Sequence, residues 1–306
     1  MGDLGLTRVS DGEFRLDGGA MFGVVPRTLW EKEKAPDAQN RIRMGTNCLL
    51  VERGGDLLLI DTGIGDKNDE HFREIFGMQP GGRRLPESIQ AAGYELGDVT
   101  HVLLTHLHFD HCGWNTREVN GSVVPTFPRA RYWLQRGEVE HARHPNERDR
   151  ASYNRLNWEP LFAAGVVELF DETAEPVTGV EAMRTPGHNA DMCIVLLDGG
   201  DAGNPGNGSD AGNAGDTGGG RQKAVFWADL VPTLAHVPYP WIMGYDLYPL
   251  TTLENKKRWL PRAAAGGWLS IFEHDADAPF ARLVEDRPGR FRAVTAEAPP
   301  AERLAD

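Results

Sequence analysis

The sequence has few cysteines and no long apolar run. Its three cysteines, Cys48, Cys112 and Cys193, are an odd number without C-x-x-C spacing, so we expect no disulfide framework. No stretch approaches the roughly 18 to 20 apolar residues that a membrane span needs. The start of the chain also lacks the basic and then apolar pattern of a secretory signal. We therefore predict a cytoplasmic protein with no membrane partner.

An excess of positive charge is missing as well. The 306 residues carry a formal net charge of −13, which repels a polyanion at long range. Binding to nucleic acid would need a local basic patch that the sequence does not offer. The hydrophobic content of 40% is enough for a sizeable core. We therefore expect a globular protein that acts on a small molecule, with no nucleic-acid partner.

Short apolar runs recur along the chain and end in polar, glycine or proline residues. They predict strands that are mostly buried on both faces, at 47–52, 56–61, 101–105, 193–198, 224–229 and 268–273. Helical patterns lie between them, at 68–77, 86–93, 136–144 and 252–264, the last interrupted at Pro261. Strands that alternate with helices over the whole length indicate an α/β fold.

Two segments depart from this pattern. Residues 199–220 are rich in glycine, asparagine and aspartate and contain almost nothing that can enter a core, so we predict a flexible insertion there. From about residue 288 the chain is polar and rich in alanine and proline, which is typical of a frayed terminus. No linker divides the chain, and residues 1–306 are predicted to form a single domain.

The stretch "LTHLHFDHCGW" (104–114) crowds metal-binding side chains at the end of a predicted strand. Neutral imidazole and carboxylate are both good ligands for metal ions, and His106, His108, Asp110 and His111 lie within six positions. A single turn cannot complete a metal site. Further donors also follow apolar runs, where ligand sites of α/β folds lie, and they are His188 in "TPGH", Asp229 and His274.

This ordered set of residues resembles the metallo-β-lactamase fold of dinuclear metal hydrolases. "HLHFDH" and "TPGH" are most similar to the quorum-quenching N-acyl-homoserine lactonases, and residues 18–52 resemble a bacterial branch that includes such lactonases and related esterases. The resemblance covers about residues 18–285. It implies an αββα sandwich with two metal ions at one edge of the packed sheets.

The resemblance also implies a role for each candidate ligand. The first metal would be held by His106, His108 and His188, and the second by Asp110, His111 and His274. Asp229 would bridge both metals, and Asp61 would orient a ligand imidazole from behind. The expected cofactors are two divalent ions, with zinc first and manganese, cobalt or iron as alternatives. Cys112 is expected to pack as a small side chain rather than to bind metal.

The implied activity is hydrolysis. A hydroxide held by the two metals would open a lactone or cleave a carboxylic ester, N-acyl-homoserine lactones included, with Asp110 and Asp229 as catalytic residues and Asp110 carrying a proton to the leaving alkoxide. Hydrolysis of organophosphates or aryl esters is the alternative in the same fold. A non-hydrolytic redox or sensor protein that binds metal is the alternative outside hydrolysis. The sequence leaves the oligomeric state open, with a homodimer as one alternative.

Substrate choice depends on residues around the metals. The lactonases often carry a tyrosine three residues after the bridging aspartate, but this chain has Pro232 there. Three nearby tyrosines are candidates to replace it: Tyr239, Tyr245 and Tyr248. Candidates for an apolar pocket wall are Trp241, Met243, Leu247, Phe22, Trp30 and Trp114.

Overall fold

Two β-sheets packed face to face, with helices outside them, make up the fold, which a computed structural model describes over residues 3–78, 84–200 and 222–297. The strands are β1 (Gly5–Asp17), β2 (Arg41–Arg53), β3 (Asp56–Ile60), β4 (His101–Leu103), β5 (Thr116–Val119), β6 (Ser122–Pro125), β7 (Arg131–Gln135), β8 (Val167–Phe170), β9 (Thr173–Val177), β10 (Val180–Arg184), β11 (Cys193–Asp198), β12 (Lys223–Phe226), β13 (Leu269–Ile271), β14 (Phe280–Arg287) and β15 (Arg290–Thr295). The helices are α1 (Gly18–Phe22), α2 (Arg27–Trp30), α3 (Glu70–Ile75), α4 (Leu85–Ala91), α5 (Phe109–Cys112), α6 (Arg136–Arg143), α7 (Glu159–Ala163) and α8 (Pro249–Ala265).

The strand order shows how the two sheets are built. One sheet runs β1-β2-β3-β4-β7-β8, the other runs β15-β14-β13-β12-β11-β10-β9, and β5 and β6 form a separate hairpin. Neighbouring strands are parallel at β3–β4, β4–β7, β7–β8 and β12–β13. This αββα sandwich confirms the predicted fold class.

The apolar runs are continuous because their strands are buried on both faces. In β2, Leu49 and Val51 pack into the core between the sheets, whereas Cys48 and Leu50 pack against the helices on the opposite face. All four side chains are almost fully buried. A strand of this kind has no polar face. Its successive residues alternate between the core that lies between the sheets and the core that lies under the helices.

All six predicted strands and four predicted helices are present. Their ends differ: β2 begins at Arg41, β12 ends at Phe226, and β4 and β13 have three residues each. The predicted interruption at Pro261 is wrong, because α8 continues to Ala265. Trp259, Leu260 and Ala263 of this helix are buried in the core, and we attribute its continuity to this packing, which outweighs the hydrogen bond that proline cannot donate.

The predicted frayed tail from about residue 288 is wrong over Arg290–Thr295. These residues form β15, which pairs antiparallel with β14 and buries Phe291. Phe291 is the one buried residue of this segment, so the sequence pattern was too weak to indicate a strand, and the pairing with β14 stabilises it. Residues 298–306 lie outside the described residues, as do residues 201–220 of the predicted insertion. The single domain stays a prediction.

Nine of the fifteen described strands were not predicted from the sequence, among them the edge strand β1. A bulge between Ser10 and Glu13 shifts its register against β2. Because the shift interrupts the period of two, the apolar residues on its two halves do not follow one alternation. Within the described ranges, no helix is both long and apolar enough to cross a lipid bilayer.

Burial of Phe291 provides a test of β15. Its side chain is 3% exposed and its ring centroid lies 5.6 Å from that of Tyr239. We expect Phe291→Ala to lower the free energy of unfolding by about 3 kcal/mol, measured by urea denaturation, because it leaves a cavity in the core. Val294→Ala on the same strand, where the side chain is 41% exposed, is the control and should change stability by less than about 1 kcal/mol. Equal, small effects of both variants would contradict a packed β15.

Candidate metal centre

The ends of β3 and β4 deliver the first half of the site. These parallel strands end at Ile60 and Leu103, and the chain then turns at the same edge of the sheet. Asp61 follows β3 directly in a left-handed backbone conformation, with φ of 54°, and accepts hydrogen bonds from the backbone N–H and the hydroxyl of Thr105. The motif residues 106–111 continue from that point into α5.

The second sheet delivers the other half in the same way. His188 follows β10, Asp229 lies in the short 3-10 turn Ala228–Leu230 after β12, and His274 follows β13. Because β12 and β13 are parallel, Asp229 and His274 emerge at the same edge. The packed sheets therefore bring together all seven donors of the predicted set, and each of these residues is buried.

Asp229 lies at the centre of the cluster. Its Oδ2 is 3.2 Å from His188 Nε2 and 3.6 Å from His111 Nε2, and its Oδ1 is 3.1 Å from His274 Nε2. Burial raises the pKa of Asp229, but the surrounding imidazoles outweigh it and hold the pKa well below its usual range. The carboxylate is therefore charged and accessible to ligands on both sides.

The seven predicted donors fall into two groups, one of which includes Asp229, and Asp61, His111 and Glu273 lie close enough to form a third. The ligand atoms of each group lie within 4.8 Å of one another, and the groups are His106, His108, His188 and Asp229, and Asp110, His111 and His274. This grouping matches the division that the family resemblance implied. Each group contains enough donors to hold one metal ion.

Unpaired lone pairs show that the residues fit metal ions. The Nε2 atoms of His106 and His108 and Oδ1 of Asp229 are buried without a hydrogen-bond partner among the described residues. The Nε2 atoms of His111 and His274 face each other at 3.1 Å. Buried polar atoms are normally satisfied, and a cation among these nitrogens and oxygens would satisfy them together.

A partner on the outer nitrogen aims most of the imidazoles. The Nδ1 atom is bonded to Thr105 Oγ1 in His106 (3.1 Å), to Asp246 Oδ1 in His188 (3.1 Å) and to the carbonyl of Gly45 in His274 (2.8 Å). With Nδ1 occupied, each ring presents Nε2 to the centre, as is usual for metal-binding histidines.

Two carboxylates contact His111, and the sequence analysis indicated only one of them, Asp61. Asp61 Oδ2 lies 3.0 Å from His111 Nδ1, as the expected orienting role requires, and Glu273 Oε2 lies 2.9 Å from the same atom. Burial lowers the pKa of His111, but Glu273, Asp110 and Asp229 outweigh it and hold the pKa well above its usual value. In the sequence, Glu273 could have been noticed as the acidic residue that ends the apolar run "WLSIFE".

Asp246 is the other residue that the sequence analysis missed. Its Oδ1 contacts His188 and its Oδ2 accepts a hydrogen bond of 2.6 Å from the hydroxyl of Thr252 at the start of α8. Gly187, with φ of 154°, lets the start of α8 lie close to the segment that bears His188. A Cβ at Gly187 would lie 2.8 Å from the Cα of Thr252 and would collide with the helix. No motif marks an aspartate 58 residues from its histidine.

Cys112 packs inside the fold, as predicted. Its thiol donates a hydrogen bond to the carbonyl of Leu107 at 3.3 Å. Burial raises the pKa of this thiol to about 12, so it is protonated and a poor ligand.

A pocket of about 430 Å³ opens onto the cluster. Asp110 and His108 lie at its base, and its apolar wall comes from Leu16, Met21, Phe76, Phe109, Met243 and Leu247. Met243 and Leu247 were expected there, whereas the other four were not. The walls suit an acyl chain or an aromatic group, with the polar cluster at one end.

Several predicted pocket residues lie elsewhere. Phe22 stacks between Trp30 and His236, and Trp241 packs edge-on against Phe22. Trp114 donates a hydrogen bond from its indole to Asp11. Of the three tyrosines, Tyr245 lines the pocket, Tyr239 packs against Phe291, and Tyr248 is exposed outside the lining.

Comparisons with known sequences agree with this site. A model of the metallo-beta-lactamase superfamily matches residues 41–202. A probable metallo-hydrolase of Mycobacterium tuberculosis is 28% identical over 214 residues, which are 59% of this chain and 63% of that protein. An N-acyl homoserine lactonase of a Bacillus species is 26% identical over 161 residues, which are 49% of this chain and 57% of that protein. The matches thus span less than two thirds of either relative.

Solved structures are similar over nearly the whole chain. A probable metal-dependent hydrolase from Staphylococcus aureus superposes with a TM-score of 0.81 at 26% identity, covering 97% of this chain and 99% of the other. The dizinc quorum-quenching lactonase AidC, in complex with a product, superposes with a TM-score of 0.73 at 20% identity, covering 97% and 96%. The second likeness is one of fold alone.

Loss of Asp246 should weaken metal binding without touching a candidate ligand. We expect Asp246→Ala to lower metal affinity about 10- to 100-fold, because His188 loses the partner that orients its ring. Competition with a chromogenic chelator would measure the affinity. Asp171→Ala, on an exposed side chain that pairs with Arg136, is the control. Unchanged affinity in a folded Asp246→Ala protein would show that His188 does not depend on this contact.

Proposed function

Because the chain belongs to the metallo-beta-lactamase superfamily, we propose that it is a metal-dependent hydrolase that opens lactones or cleaves carboxylic esters, N-acyl-homoserine lactones among them. One observation carries the proposal: a buried, charged Asp229 carboxylate between two groups of metal-ligating side chains at the base of a pocket. The 26% identity to an N-acyl homoserine lactonase supports a lactone or ester as the substrate.

In this proposal the seven donors hold two divalent ions that share Asp229. Zinc is the first candidate, and a site of histidine and aspartate also accepts manganese, cobalt or iron. The first ion is assigned to His106, His108 and His188, and the second to Asp110, His111 and His274. Two such ions would supply Lewis acidity, which polarises a carbonyl oxygen and makes water acidic enough to attack near neutral pH.

The chain's own residues bind the substrate and move a proton. Apolar walls hold the acyl or alcohol part, and exclude water from it, while the scissile carbonyl faces the base of the pocket. Asp110 lines that base, with Oδ2 at 3.7 Å from His274 Nε2. We assign Asp110 the transfer of a proton to the leaving oxygen, since its carboxylate lies where a bound ester would break.

Hydrolysis of aryl esters or phosphotriesters is the second candidate for this site. It is favoured by Pro232, which stands where lactonases often carry a tyrosine, and by Phe76 and Phe109, whose ring centroids lie 4.8 Å apart in the pocket wall. Such a wall suits an aromatic leaving group.

Metal loading and a substrate panel test the proposed hydrolysis. The purified chain should bind about two divalent ions, and a chelator should abolish hydrolysis until metal is restored. The panel consists of acyl-homoserine lactones, aryl esters and a phosphotriester, each with defined metals. Turnover of aryl esters alone would move the substrate to the second candidate. A single bound iron without any hydrolysis would instead support a redox or sensor protein.

Asp110→Asn tests the proton transfer. We expect kcat to fall about a hundredfold, because the amide cannot carry the proton, while metal analysis still finds about two ions. Asp171→Asn, at an exposed position, is the control. Full turnover by Asp110→Asn with both metals bound would assign the proton transfer to another group.

A further inference from the structure

Arg148 is the one arginine or lysine among the described residues that line the pocket, on the side formed with Asp149, Ala151 and Ser152. The turn that bears it is well anchored: Arg148 N–H donates to Asn146 Oδ1 at 2.8 Å, and Asp149 Oδ2 lies 2.5 Å from His141 Nε2. The guanidinium Nη2 donates to the carbonyl of Gly244 on the facing wall. This contact ties the guanidinium, on a side chain that remains exposed, to another residue of the pocket lining.

No carboxylate among the described residues neutralises the guanidinium. Arg148 forms no ion pair within that part of the chain, and its side chain donates to the carbonyl of Gly244. The neighbouring carboxylate of Asp149 is bonded to His141 instead. Because a guanidinium has five N–H donors, further donors remain for a ligand in the pocket.

The pocket therefore presents three chemistries to one molecule. Residues of the metal-ligating cluster and apolar side chains such as Phe109 and Met243 line the pocket together, and Arg148 adds an exposed guanidinium to the same lining. A neutral acyl chain would satisfy the first two and leave the guanidinium unused. A chain that ends in a carboxylate would satisfy all three, since guanidinium and carboxylate match in charge and geometry.

We propose that Arg148 determines specificity by binding an anionic group at the far end of the substrate, so that the preferred substrates are esters or lactones whose apolar chain ends in a carboxylate. This inference rests on the proposed hydrolysis for its reaction, but its charge preference is measurable by binding alone. The protein's overall negative charge repels anionic substrates at long range. A preference for them therefore has to come from a local cation, and Arg148 is the one proposed here.

Matched pairs of esters test the charge preference in the zinc-loaded protein. The mono-4-nitrophenyl esters of succinate, adipate and suberate are each compared with the neutral 4-nitrophenyl ester of the same chain length. We expect kcat/KM to favour at least one half-ester over its neutral partner. Arg148→Gln should lower kcat/KM for that half-ester about tenfold, through KM, as expected for one charge-assisted hydrogen bond. The neutral ester should change less than about twofold by the same reasoning.

Two further variants and one binding measurement make the result decisive. Arg148→Lys should retain part of the preference, and Arg150→Gln, an exposed arginine outside the pocket lining, should retain all of it. If Arg148→Gln lowered kcat/KM equally for the charged and the neutral ester, the proposal would be overturned, because the contact of Arg148 with Gly244 would then have only a structural role. If no ester were hydrolysed, the proposed function would fail. Calorimetry would still test the charge preference without hydrolysis. The wild type should bind the best-fitting dicarboxylate more tightly than the matching monocarboxylate, whereas Arg148→Gln should bind both equally.

Discussion

The structure depends on keeping a cluster of buried imidazoles and carboxylates in one orientation. Nitrogen and oxygen lone pairs removed from water are costly unless something satisfies them. Here a partner on Nδ1 fixes the rings of His106, His188 and His274 and leaves their Nε2 atoms to converge on Asp229. These outer contacts fix the direction of the three rings, as they do for metal-binding histidines in general.

The sandwich supplies this orientation by bringing strand ends to one edge. The first sheet contributes Asp61 and the histidine motif from the neighbouring parallel strands β3 and β4, and the second contributes Asp229 and His274 from β12 and β13. His274 also ties the sheets together, since its Nδ1 contacts the carbonyl of Gly45 in β2. The site is therefore complete only where the two sheets pack together.

Helix α8 connects the metal centre with the wall of the pocket. Thr252 on its first turns holds Asp246 behind His188, and Lys256 one turn later is fully buried. The Lys256 ammonium donates to the carbonyls of His236, Pro238 and Trp241, at 2.6, 2.7 and 3.0 Å. Burial lowers the pKa of this lysine to about 7. The helix therefore positions both the candidate ligand His188 and the loop that leads to Met243 and Tyr245.

The sequence alone determined the α/β class, six of the fifteen strands in the described residues and the seven metal-ligating candidates, because continuous apolar runs and a dense histidine motif are local signals. Only the tertiary structure decided which residues support and surround them. Glu273 and Asp246 reach their histidines from distant parts of the chain, β15 exists through its partner strand, and Arg148 faces Gly244 across the pocket. The contacts of Glu273, Asp246 and Arg148 join segments far apart in sequence, and the pairing of β15 depends on its partner strand, so no local pattern encodes any of them.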